Sequence, residues 1–105
     1  MSLDDSNTRL AAFTDQEACL WDFTVSHRRL VIRLGWEECI FLLLEDVRGI
    51  WGPTWWEKSH LRVTLGPDQM IVVEDSGAGF SARGTRIELS ESDPSEGFFD
   101  APKMS

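Results

Sequence analysis

No apolar stretch in this chain is long enough to cross a bilayer as a helix. The longest, Ile40-Phe41-Leu42-Leu43-Leu44, is five residues, against the ~20 that a transmembrane helix requires. The N-terminus, Met1-Ser2-Leu3-Asp4-Asp5, is acidic where a secretory signal would be basic and then apolar. Together these point to a cytoplasmic protein with no membrane partner. Cysteine is scarce too. Cys19 and Cys39 are too few for a disulfide framework and lack zinc-site spacing, so both are expected as reduced, largely buried core residues. The only two histidines, His27 and His60, stand apart from any dense set of thiols or carboxylates. Metal binding is therefore unsupported, and no cofactor is called for. Cationic side chains are outnumbered, 10 Lys and Arg against 18 Asp and Glu, for a net charge of −8. That balance argues against nucleic acid, which is bound through cations meeting phosphates.

What is present reads as one ordinary globular domain. A hydrophobic fraction of 42% in 105 residues suffices for one core and not for two. The acidity sits at the ends: Asp4, Asp5, Asp15 and Glu17 against Arg9, and Glu88, Glu91, Asp93, Glu96 and Asp100 against Lys103. The resulting division is an acidic N-terminal segment over 1–17, a β domain over 18–90 and an acidic tail over 91–105. Acidic ends of this kind ordinarily serve solubility.

Period-two alternation, the mark of a half-buried strand, dominates the middle of the chain. Cys19, Trp21, Phe23 and Val25 fall on one face, with Asp22 and Thr24 opposite. Leu30, Ile32 and Leu34 alternate with Val31 and Arg33, after a Ser26-His27-Arg28-Arg29 connection of hairpin length. Leu61 to Leu65, Phe80 to Arg83 and Arg86 to Ser90 repeat the pattern, with Gly66-Pro67-Asp68 and Gly84-Thr85 read as turns. Ile40–Leu44 and Met70–Val73 are apolar at every position, which requires cover on both faces: a barrel wall, a layer between two others, or a homodimer interface. The expected fold is all-β, an antiparallel sandwich or partly open barrel of about seven short strands with flexible acidic termini. Helix is limited to a capped turn or two near Asp5 and Ser6, where a first strand fits equally well. Within the tail, Phe98-Phe99 either docks back on the body or offers a sticky segment to a partner.

Motifs that carry chemistry are sparse. Asp75-Ser76-Gly77-Ala78-Gly79-Phe80 resembles the D-x-G-x-G element of the gyrase, heat-shock and histidine-kinase ATPases, whose Asp meets adenine. The resemblance covers six residues, and that family's Asn-bearing helix, lid and second glycine-rich segment have no counterpart here. A glycine turn between two strands accounts for the same letters. Glu74 and Asp75 close a strand and are expected to face water. Ser26 and His27 are neighbours on an extended chain, pointing to opposite faces, which disfavours a nucleophilic pair.

The strongest functional signal is Trp51-Gly52-Pro53-Thr54-Trp55-Trp56, three of the five Trp in six residues around a turn-forming Gly-Pro. Trp in such a loop either anchors it to the core, the commoner use, or offers a flat apolar face to a partner. The function this suggests is a non-enzymatic binding or interaction module of unknown protein partner. Its surface would be built from Trp51, Pro53, Trp55 and Trp56 with His60 as polar neighbour. A small hydrolase or ligand-dependent enzyme with unlocated carboxylates and a carbohydrate-binding module, its Trp stacking on sugar rings, are the alternatives.

Overall fold

The computed structural model describes residues 3–25 and 28–93. The described residues form a two-layer β-sandwich with one short helix. Among the described residues nine strands follow the helix α1 (Leu3–Ala11): β1 (Ala18–Thr24), β2 (Arg29–Leu34), β3 (Ile40–Glu45), β4 (Gly49–Trp51), β5 (Trp55–Trp56), β6 (Arg62–Leu65), β7 (Ile71–Asp75), β8 (Phe80–Gly84) and β9 (Arg86–Ser90). One sheet has the order β5-β1-β2-β3-β9 and the other β4-β8-β7-β6, with antiparallel pairing throughout. The sandwich reading holds and the barrel reading does not, because the strands divide into two separate sheets, neither of which pairs with the other or closes on itself. The count exceeds seven because β4, leading into the Trp loop, and β5, at its end, are strands too short to show alternation. No helix among the described residues is long and apolar enough to cross a membrane.

The core lies between the sheets. Leu30, Ile32 and Leu34 of β2 and Ile40, Leu42 and Leu44 of β3 face Val63, Val73, Phe80 and Ala82 of the second sheet. All of Ile40–Leu44 is buried within the monomer, as its double apolar face requires. Met70–Val73 departs from that expectation: only Val73 is fully buried, because the outer face of the second sheet is left uncovered.

Helix α1 packs against β6. Asp4 and Asp5 in the first turn of α1 and Arg9 in the last suit the helix dipole, and Leu10 enters the core. Asn7 pairs with the open edge of β6, its amide donating to Val63 O at 2.8 Å and accepting from Val63 N at 2.8 Å. An exposed strand edge is thereby closed. Gly84-Thr85 is also not the hairpin turn its letters suggest. β8 and β9 lie in different sheets, and Thr85 N–H donates to Glu45 O at 3.0 Å as the chain crosses over.

Candidate functional site

A β-bulge decides what the first sheet presents outward. Leu20 pairs with Ile32 and Asp22 with Val31, so Trp21 is an extra residue that shifts the register. Beyond it the faces exchange. Cys19, Trp21 and Asp22 lie on the outer side, while Phe23 pairs with the core residue Leu30. The uninterrupted face Cys19-Trp21-Phe23-Val25 does not exist, because strict alternation ends where one residue is inserted.

One row of partners then runs across the outer face of the sheet: Trp55, Cys19, Arg33, Phe41 and Ser90. Trp36, from the β2–β3 connection, joins it. The Arg33 guanidinium stands 4.0 Å from the Trp36 ring centroid and 5.0 Å from that of Trp21, and donates to Trp36 O at 2.8 Å. Trp21 leans on Phe41 at 6.1 Å between centroids and donates through Nε1 to Asp93 at 2.7 Å. Each cation–π contact is worth about 0.5–2 kcal/mol depending on desolvation, enough to hold the rings in place. Trp21, Trp36 and Trp55 remain 42, 56 and 49% exposed.

The Trp loop does not form one surface. It carries the chain from β4 in the second sheet to β5 in the first. Trp51 points outward from the second sheet, its indole lying over Gly49, where a side chain would come within 2.4 Å of the ring, and near Arg83 at 5.8 Å. Trp55 points outward from the first sheet, opposite Cys19. Both are exposed, on opposite sides of the sandwich.

Trp56 faces inward. It is 7% exposed, stacks on Phe80 at 4.8 Å, and donates Nε1–H to Asp75 Oδ2 at 2.8 Å. Asp75 is the buried polar centre of this region, at 2% exposure, and not the solvated carboxylate expected from its position at a strand end. It also accepts from His60 N at 2.7 Å and Ala78 N at 3.3 Å. Its oxygens are thus committed within the fold, and Ser76–Gly79 is the turn joining β7 to β8. Pro53 is half-buried, and the exposed His60 ring lies 3.1 Å from Asp15. Of the loop residues, only Trp55 shares a face with the other aromatic side chains of the row.

Sequence reasoning passed over Trp21, Trp36 and Arg33. They lie on a strand, after a glycine and on a different strand, and no spacing announces that a bulge and a hairpin will stack them. Both cysteines are half-buried free thiols, not core residues as expected. Burial foremost, and then Glu17, push the Cys19 thiol pKa up, with Arg33 opposing.

Two grooves flank α1, one of about 600 Å³ lined by Asp4, Asn7, Thr8, His60 and Arg62, the other of about 570 Å³ lined by Arg9, Phe13, Glu37, Glu38 and Glu91. Among the described residues no three His, Cys, Asp or Glu side chains converge to hold a metal. No protein-family model matches the chain, and neither curated proteins nor solved structures give a match.

Proposed function

We propose that this chain is a non-enzymatic, cytoplasmic interaction module that binds a protein partner through the outer face of its five-stranded sheet. The observation that carries the reading is the gathering of three half-exposed Trp on that face, two of them stacked on Arg33. Trp and Arg dominate the energetic centres of protein interfaces. Rings already held by cation–π contact lose little freedom on binding. The surroundings support one partner chemistry over others. Asp22 and Glu88 lie on the same face, and Glu37 and Glu38 adjoin Trp36. A complementary surface would be apolar at its centre and basic at its rim, which also sets the module apart from nucleic-acid binders.

Three single variants, Trp21→Ala, Trp36→Ala and Trp55→Ala, test this against Trp51→Ala on the opposite face. Proximity labelling with the wild-type chain identifies the partner, and calorimetry with the purified pair measures affinity. Loss of at least tenfold in affinity in two of the three, with Trp51→Ala near wild type, is expected. Unchanged affinity in all three would sink the reading. Loss in Trp51→Ala alone would move the site to the other sheet.

A further inference from the structure

Backbone hydrogen bonds tie together the connections at one end of the sandwich. Val47 N donates to Arg28 O at 2.9 Å, Arg48 N to Arg83 O at 2.8 Å and Thr85 N to Glu45 O at 3.0 Å. The β1–β2 hairpin, the β3–β4 connection and the β8–β9 crossover therefore meet there. Arg28, Arg29, Arg48, Arg83 and Arg86 gather at this end, half of the chain's 10 Lys and Arg. Three carboxylates stand against them. Glu45 is shared by Arg29 at 3.5 Å and Arg86 at 3.9 Å, Asp46 pairs with Arg48, and Asp68 lies 3.7 Å from Arg83. On a chain of net charge −8, this end is positive.

A cavity of about 280 Å³ opens among these connections, lined by Phe23, Val25, Val47 and Ile50 with Arg28 and Arg48 beside them. The bulge at Trp21 sets Phe23 opposite the core residue Leu30, so its ring stands at the mouth of the space between the sheets, 43% exposed. Val25, just past the strand, is 74% exposed. Val47 is buried and Ile50 half-buried behind them. Arg48 is aimed by a two-point pairing with Asp46, Nε to Oδ1 at 3.1 Å and Nη2 to Oδ2 at 2.9 Å. Arg28 is exposed and makes no salt bridge among the described residues.

The cavity falls just below the ~300–1,000 Å³ of small-molecule pockets and suits a single large side chain. An apolar cleft rimmed by cations selects an apolar group flanked by anions. Burial then supplies affinity, while the charges choose partner and orientation. We propose that this end of the sandwich is a second docking site, for a segment of a partner protein that carries one large apolar side chain between carboxylates. Its chemistry is the reverse of the basic-rimmed surface proposed for the outer face, so the two sites take different partners. Neither depends on the other.

Selection of phage-displayed random heptapeptides on the full-length chain tests this. The enriched peptides are expected to place a large apolar residue beside Asp or Glu. A synthetic peptide of that consensus should shift the Val25, Val47 and Ile50 methyls in nuclear magnetic resonance spectra. Arg28→Glu should weaken its binding at least tenfold, with the Leu42 and Leu44 methyls unmoved in the variant as report of an intact fold. Trp21→Ala, on the outer face, should bind the peptide as wild type does. Selection without an acidic, apolar consensus would overturn the proposal, and so would a consensus peptide bound equally by Arg28→Glu. Shifts of the same three methyls on concentrating the protein alone would also overturn it, because the occupant would then be a second copy of this chain.

Discussion

Trp55 and Trp56 are adjacent and opposite in consequence, since neighbours on a strand face opposite ways. Trp56→Ala removes the ring stacked on Phe80 and should cost roughly 3–5 kcal/mol, whereas Trp55→Ala should stay within about 0.5 kcal/mol. Thermal melts of the pair measure the difference. Asp75→Ala strands two buried donors, Trp56 Nε1–H and His60 N–H, at about 1–3 kcal/mol each; the loss should total about 2–5 kcal/mol by denaturant titration. Asp75→Asn should cost less, since its carbonyl can keep both bonds while its amide opposes Ala78 N–H alone. Cys19, its thiol pKa raised by burial, should alkylate more slowly than a free cysteine near neutral pH, with its rate midpoint displaced to higher pH. Asp46 gives the opposite sign. Its hydrogen bond from Arg48 holds the carboxyl below its ordinary value. Its contribution is therefore present above the unfolded carboxylate pKa and lost as pH falls through the folded one. Carbon-detected titration of Asp46 should show that lowered midpoint.

At the scale of elements, β3 is the strand most sensitive to charge. Leu42 faces the core and Phe41 the outer side of the sheet, yet both are buried. Leu42→Lys and Phe41→Lys should each lower stability by several kcal/mol, because either buries an unpaired charge. Stable folding of Phe41→Lys, read by its melting temperature, would show that the outer face opens readily. The Trp loop depends on Gly52 in a similar way. Its φ of +115° is left-handed, and a side chain there would stand 2.5 Å from Gly79 O and 2.7 Å from Phe80 Cα. Gly52→Ala must lift the loop off the β7–β8 turn and should shift the Trp56 indole resonance.

For the whole molecule, the main core lies between the two sheets and is shared by both. Side chains of β2 and β3 pack on those of β7 and β8, and α1 seals the β6 edge. Unfolding should be a single transition, with tryptophan fluorescence and far-ultraviolet dichroism melting together. Two separated midpoints would show that a sheet survives alone. The dichroism itself should be strand-dominated with a minor helical part.

The alternation of Leu30–Leu34, Leu61–Leu65 and Arg86–Ser90 and the double apolar face of Ile40–Leu44 determined an all-β fold and named most of its core, because burial on one side of a pleat leaves a period-two trace in the residues. The helix over Leu3–Ala11 was only half legible, since Asn7 earns its place through β6, more than fifty residues away. The Trp loop was legible as a signal and not as a surface: whether Trp51 and Trp55 meet depends on which sheet each edge strand joins, and that is a property of topology. The stack of Trp21 and Trp36 on Arg33 was illegible, because it rests on one inserted residue in β1. A bulge changes no residue type, yet it reverses the face of every side chain that follows, and only the pairing of strands reveals it.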